Sequence, residues 1–315
     1  MRFSYRWIGW IALGFLCLAG CKKKQRKSVT KQSKARPATR SVALGKGAVK
    51  DGRGKLVQTK HPAKRVIVAG TPLYSEVLID LGAQDKLVAV VQSPGNPKSL
   101  RKLETIGRPW PLNVEKVLAA KPDLVLGTVE PYRRKLEQIG NVPVYSGGSG
   151  AGGISSLKQI YELIENVDKL VHHSTARSRR LLQTIKQQLK VVGRGVKPGK
   201  VTAAIIYVPK PQDARIYVTN KKSPAHELLV LAGGVNVFAE LKGFGATVEA
   251  LIKQNPEVII TDPKHVQHVL QHRALQSLRA VKNKRVVGIL ATRYTSSRLV
   301  GAFRLLVKAL HPTTK

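Results

Sequence analysis

Trp110 and Glu115 recur, at the same spacing, as Phe244 and Glu249. The stretches that carry them are GRPWPLNVEKVLAAKPDLVLGT, from Gly107 to Thr128, and LKGFGATVEALIKQNPEVIITD, from Leu241 to Asp262. They align without a gap, which also pairs Asn113 with Thr247, Pro122 with Pro256 and Asp123 with Glu257. The chemistry on offer is recognition rather than bond breaking. Trp110 and Phe244 present flat apolar faces, and Tyr217 adds a third on a predicted hairpin, a set suited to walls around a flat or bulky organic ligand. Arg108 offers an anion contact beside Trp110. Tyr74, Arg293 and Tyr294 stand near predicted strand ends or loops, where open α/β sheets bind ligands. No carboxylate pair, Ser/His/Asp set or thiol nucleophile stands out, so catalysis is not indicated.

The elements that must hold these residues follow from the repeat. Asn113 and Thr247 are good N-cap residues, which sets Glu115 and Glu249 in a first helical turn against the positive end of the helix dipole. Pro122 and Pro256 disfavour helical geometry in the preceding residue, and the β-rich runs LVLG and VIIT follow. Each copy is thus an aromatic loop, a short helix and a buried strand, one step of a parallel α/β sheet with helices on its faces. Two copies imply two lobes on one plan.

The first lobe is expected over residues 61–152, with strands at Arg65 to Ala69, Lys86 to Val91 and Val142 to Ser146 around the first copy, and a helix begun by Thr71-Pro72. Residues 153–195 read as a helical connector. Leu157, Ile160, Ile164 and Val167 mark its first part, and Ser174 caps a second with Leu181, Leu182, Ile185 and Leu189 on one side. The second lobe, 196–315, opens with Val201 to Val208, a hairpin-like return at Arg215 to Thr219 and a helix begun by Ser223-Pro224. The expected fold class is α/β: two Rossmann-like lobes with parallel sheets, joined by a long rigid α-helix.

The N-terminus is a separate matter. Arg2 and Arg6 precede the apolar run Trp7 to Leu18, and Leu18-Ala19-Gly20-Cys21 resembles a bacterial lipobox, so residues 1–21 read as an export signal with Cys21 the lipidated residue. Residues 22–60, rich in Lys, Arg, Ser, Thr and Gly, read as a disordered basic tether whose Lys22-Lys23-Lys24 and Arg26-Lys27 favour anionic headgroups. The chain carries 55 Lys+Arg against 18 Asp+Glu, a net charge of +37. An exported lipoprotein seldom meets nucleic acid, so none is expected as a partner. Gly148 to Gly153 fit GxGxxG, but no second strand with an acidic end follows, and the run reads as a flexible exit from lobe one. His265, His268 and His272 fall on one helical face and read as a solvated face rather than a metal site.

Taken in order, KRVIVAGTPLYSEVLIDLGAQDKLVAV, NVEKVLAAKPDLVLG, SPAHELLVLAGGVNVFAEL and TVEALIKQNPEVII resemble the substrate-binding proteins of ABC importers for ferric siderophores, haem and cobalamin. The resemblance spans about Pro62 to Leu310. It implies a ligand held between two α/β lobes, delivery to an ABC permease and ATPase complex, and docking of one glutamate per lobe, here Glu115 and Glu249, onto permease arginines. It also implies a metal chelate as ligand, with cobalamin or corrinoid and ferric siderophore both open. Haem-binding members commonly carry a tyrosine ligand near Arg108, which is missing here and counts against haem. The expected protein is therefore a monomer without cofactor, exported and lipid-anchored to a bacterial membrane on its periplasmic or cell-surface side. The competing reading keeps the fold but makes it a surface lipoprotein that holds polyanions in adhesion or scaffolding.

Overall fold

Val66-Ile67-Val68 and Leu124-Val125-Leu126 are apolar at every position because both faces of the sheet they form are covered. The computed structural model describes residues 45–93, 95–148, 153–208 and 214–312. The export signal with Cys21, residues 22–44 of the basic stretch and residues 149–152 of the glycine run lie outside the described residues.

In the first lobe β1 (Ala48–Lys50) and β2 (Leu56–Gln58) form an antiparallel hairpin. After them come β3 (Val66–Val68), α1 (Pro72–Asp80), β4 (Leu87–Val90), β5 (Glu104–Thr105), α2 (Val114–Ala119), β6 (Leu124–Leu126), α3 (Glu130–Gly140) and β7 (Val144–Tyr145). The sheet is parallel throughout, in the order β5-β4-β3-β6-β7. The hairpin corrects the expectation of a disordered tether up to residue 60. Val49 and Val57 are buried, and Arg53 and Lys55 in its turn pair with Glu130 and Glu137 of α3. Two buried valines and these ion pairs are enough to order a stretch whose composition alone looks unfoldable.

The connector is two helices, α4 (Leu157–His172) and α5 (Ala176–Val192), rather than one continuous rod. His173 sits at a left-handed φ of 52°, turning the chain between them. The corner is pinned by Asp168, which is fully buried: Oδ1 lies 2.8 Å from His172 Nδ1, and Oδ2 accepts from the Ser178 N–H at 2.8 Å, satisfying one of the unpaired amides that begin α5. At about 1.5 Å per residue the 17 residues of α5 span roughly 25 Å.

The second lobe contains β8 (Val201–Tyr207), β9 (Arg215–Val218), α6 (Pro224–Leu231), β10 (Gly234–Asn236), β11 (Gly245–Thr247), α7 (Val248–Gln254), β12 (Val258–Thr261), α8 (Val266–Gln271), α9 (Arg279–Lys282), β13 (Val286–Gly288) and α10 (Leu299–Leu310). Its sheet is mixed, not purely parallel. β8 pairs in parallel with β12 and β10, but β9 pairs antiparallel with the last residues of β8 and with β11. The short return after β8 forces this, since a parallel neighbour needs a long crossover.

The internal repeat holds in three dimensions. Lys121 and Asn255 end α2 and α7 with φ of 46° and 40°, immediately before the paired prolines. One residue past each proline an acid ties down the neighbouring strand: Asp123 accepts from the Lys64 and Arg65 amides at 2.8 and 2.9 Å, and Glu257 Oε2 accepts from the Thr202 amide at 2.8 Å. The two lobes share one apolar core. It runs from Val66, Val68 and Leu126 through α4 and α5 to Ile205, Ile260 and α10. Across the same junction Glu76 and Asp80 of α1 accept from the hydroxyls of Ser296 and Ser297. Burial pushes the Glu76 carboxyl up, with the Ser296 hydrogen bond pulling the other way.

Candidate functional site

Both sheets open their carboxyl edges onto the same side-chain turn, and this is what brings the site together. In lobe one the edge lies where strand order reverses, between β3 and β6. Gly70 and Gly127 follow these strands and must be glycines. A Cβ on Gly70 would lie 1.8 Å from the Gly127 carbonyl oxygen, and Gly127 itself has φ of 79° with the Tyr74 ring against it. The resulting hollow has a volume of about 680 Å³, with Thr71, Tyr74, Trp110, Thr128 and Ser146 on its walls. Lobe two forms a hollow of about 340 Å³ from the ends of β8, β9 and β12, with Tyr207, Tyr217, Phe244, Thr261 and Tyr294. Thr295, in the turn Ala291–Thr295, borders both.

The walls are aromatic and open to solvent. Trp110 is 63% exposed and meets Tyr132 edge-on, with ring centroids 5.3 Å apart. Phe244, Tyr217 and Tyr207 are 51%, 55% and 41% exposed, and the Tyr207 and Tyr217 rings lie 6.1 Å apart. Large apolar side chains left in the open around a hollow mark a surface that gains by being covered.

The floor is polar and unpartnered. Tyr294 is only 4% exposed, and its hydroxyl has no hydrogen-bond partner among the described residues; the same holds for Thr261 Oγ1 in lobe two and Thr128 Oγ1 in lobe one. Burial drives the Tyr294 hydroxyl well above its ordinary titration range. Such groups cost roughly 1–3 kcal/mol each when left unmatched. Tyr74, also buried, differs. Tyr74 accepts a hydrogen bond from the Gly147 amide at 2.8 Å, and burial pushes its hydroxyl up to about 12, so it supports the loop as well as lining the hollow.

Of the sequence-nominated residues, Trp110, Tyr74, Tyr217, Phe244 and Tyr294 therefore line the two hollows. Arg108 and Arg293 do not. Arg108 is exposed on the loop before Trp110 and lines neither hollow. Arg293 points across the turn toward α10, its Nη1 lying 3.5 Å from where a Cβ on Gly301 would be, and its charge acts on Glu76 instead. Sequence reasoning missed Tyr207, Thr128 and Thr261. The strand-end position that nominated Tyr294 would have found them too.

Glu115 and Glu249 are exposed in the first turns of α2 and α7, and neither joins an ion pair among the described residues. Their N-caps form as expected: Asn113 Oδ1 accepts from the Lys116 amide at 2.9 Å and Thr247 Oγ1 from the Ala250 amide at 3.2 Å. Hydrogen bonds from its own amide and then from Thr247 hold the Glu249 carboxyl below its ordinary range.

The three histidines are not a solvated face. His265 and His272 are buried, and His265 Nδ1 lies 3.0 Å from His268 Nδ1 while its ring meets Tyr207 edge-on at 4.6 Å. His265 falls in a short turn that precedes α8, so the helical spacing assumed from sequence begins one turn too early. Burial, followed by the charges of Lys264 and His268, holds His265 below its usual range. Among the described residues no group of three His, Cys, Asp or Glu side chains converges as a metal site would.

Comparison with known proteins adds four findings. Residues 67–291 match the family model described as periplasmic binding protein. An uncharacterized ABC transporter substrate-binding lipoprotein, YvrC of Bacillus subtilis, is 27% identical over 315 residues, covering 96% of each chain. Among solved structures, the periplasmic vitamin B12 binding protein BtuF of Vibrio cholerae superposes with a TM-score of 0.65 at 26% identity, over 79% of this chain and 97% of that one. A component of an ABC-type Fe3+-hydroxamate transport system from Saccharomonospora viridis superposes with a TM-score of 0.70 at 23% identity, over 83% and 98%.

Proposed function

We propose a ligand and a setting for this protein from one premise: the chain belongs to the periplasmic binding protein family. It is a substrate-binding component of an ABC transporter, not an enzyme. In our reading the ligand is a metal chelate, a corrinoid or a ferric siderophore, held between the lobes. The observation that carries this is a pair of aromatic-walled hollows that both border Thr295, one with Trp110 and the other with Tyr207, Tyr217 and Phe244. Aromatic faces cover the apolar flanks of a large planar or globular chelate. Hollows of about 680 and 340 Å³ that meet at Thr295 suit a ligand larger than a sugar or an amino acid. The BtuF likeness favours a corrinoid within this class.

The shared apolar core and the contacts of Glu76 and Asp80 with residues 296–298 resist large lobe motion, so release depends on a partner that pries at the mouth. Glu115 and Glu249, one per lobe and in no ion pair among the described residues, are our candidates for that docking. We place lipidation at Cys21, with the protein a monomer on the outer side of the membrane and a permease and ATPase as its partners. The naming of YvrC as a lipoprotein supports the anchor.

Calorimetric titration of residues 44–315 with cyanocobalamin, cobinamide, a panel of ferric siderophores and haemin tests the ligand class. One chelate is expected to bind with one-to-one stoichiometry and an affinity little changed by salt. Retention on heparin that salt abolishes, with no heat from any chelate, would instead establish the polyanion-binding alternative.

A further inference from the structure

Helix α5 carries Arg177, Arg179, Arg180, Lys186 and Lys190 and no acidic residue, and Arg194, Lys197 and Lys200 prolong the run beyond it. Ser178, Leu182 and Ile185 turn into the core, which leaves the basic positions outside. Arg177 is engaged within the fold, donating from Nη1 to the Leu81 and Gly82 carbonyls at 3.0 and 3.2 Å, and Arg179 donates to Thr175 Oγ1. Lys186 lies 5.4 Å from the centre of the Tyr161 ring. Arg180, Lys190 and Arg194 are exposed and join no ion pair among the described residues. A groove of about 550 Å³ beside α5 is edged by Lys186 and Lys190, with Glu165 of α4 the one carboxylate on its rim.

A second observation bears on what such a face meets. The chain enters the folded unit beside the start of α5. The Gly47 carbonyl accepts from the Thr59 amide at 3.0 Å, and Thr59 Oγ1 lies 3.0 Å from Nε2 of His173, the corner residue between α4 and α5. Residues 22–44, which lead into this point, contain no acid and include Lys22-Lys23-Lys24 and Arg26-Lys27. The described chain thus begins, directly after that basic stretch of sequence, at the corner that leads into α5.

We infer that the exposed face of α5 is a docking surface for an anionic lipid bilayer. A single-signed face of roughly 25 Å lies along a charged plane without a matching pocket, and each cation near such a surface adds to the attraction. α5 contributes no residue to either ligand hollow, so a bilayer-bound molecule keeps its cleft available. The inference draws on the proposed lipid anchor only for what keeps the protein at a membrane, and its test omits that anchor.

Residues 44–315 form one compact unit with cores built from its own side chains, and serve as the test protein. Co-sedimentation with phosphatidylcholine vesicles, with and without phosphatidylglycerol, is read at low and high salt. Binding is expected only to the anionic vesicles, to fall as salt rises, and to weaken by at least ~10-fold in the triple variant Arg180→Glu, Lys190→Glu, Arg194→Glu. The same net change placed elsewhere, Lys253→Glu, Arg273→Glu, Lys282→Glu, is expected to cost far less. Equal losses in the two triples would overturn the inference, as would retention on heparin with no vesicle binding in either salt. The milder Arg180→Gln, Lys190→Gln variant gives the same comparison if the glutamate triple fails to fold. Chelate titration of each variant separates the two proposals: vesicle binding without any chelate binding leaves the α5 surface standing and removes the ligand assignment alone.

Discussion

Replacing Tyr294 with Phe separates folding from binding. The side chain is 4% exposed and its hydroxyl has no partner among the described residues, while the ring packs in the core shared by the lobes. Deleting only the oxygen keeps that packing and removes a polar group whose unmatched burial costs about 1–3 kcal/mol. Tyr294→Phe is therefore expected to stabilise the empty protein by about 1–2 kcal/mol, or roughly 2–6 °C in melting temperature for a unit of this size. The oxygen is closed off from the hollow, so the same change is expected to leave chelate affinity within about threefold. Thermal unfolding of the unliganded variant and calorimetry with the chelate read the two effects separately. A lower or unchanged melting temperature would refute the reasoning, since the hydroxyl would then be satisfied within the fold.

Starting the protein at His61 instead of Leu44 removes Val49 and Val57 from the core, at about 1.5–3 kcal/mol each as an upper estimate, and a urea titration should show a midpoint shifted well down or no cooperative transition. The pH dependence follows from three histidines, His172, His226 and His265, each held below its ordinary range chiefly by burial. Because the unfolded chain binds their protons more readily, their contribution is intact above about pH 6.5 and is lost as pH falls from there toward the lowered folded-state values. Melting temperatures between pH 8 and pH 5 should fall with acidity, and His265→Phe should flatten the slope. A Glu115→Ala, Glu249→Ala double variant should keep chelate affinity within about twofold, because neither carboxylate lines a hollow, yet lose stimulation of the cognate permease ATPase in proteoliposomes.

The repeated unit was legible in the sequence because its signals are local: an N-cap, a proline and an acid at fixed spacing each act within a few residues. The same regularity located Trp110 and Phe244 at the cleft mouth. What escaped was long-range. The hairpin of β1 and β2 has strands of only three residues in a Lys- and Gly-rich stretch, though AVK and LVQ flank a turn begun by Asp51-Gly52, a hairpin signal in its own right. β10 and β11 are equally short and depend on neighbours brought from elsewhere in the chain. Arg293 and Tyr294 are adjacent in sequence but serve opposite sides of one turn, so nearness to a strand end nominated both while only Tyr294 reaches the hollow. His265 looked exposed on a helical wheel because the helix was taken to start before it does. In each case tertiary packing decided what local pattern left open.

Trp110 reports directly on whether one ligand touches the walls of both hollows. The other two of the chain's three tryptophans, Trp7 and Trp10, precede Cys21, so in residues 44–315 Trp110 is the sole tryptophan and reports from the cleft wall. Titration with a corrinoid and with ferric siderophores, in the parent protein and in Tyr217→Ala, Phe244→Ala on the opposite lobe, asks whether one ligand touches both walls. Saturable quenching of Trp110 by one chelate is expected, with affinity weakened by at least ~10-fold in the lobe-two variant. Saturable binding seen by calorimetry that neither quenches Trp110 nor responds to the loss of Tyr217 and Phe244 would contradict it, placing the ligand outside the aromatic cleft.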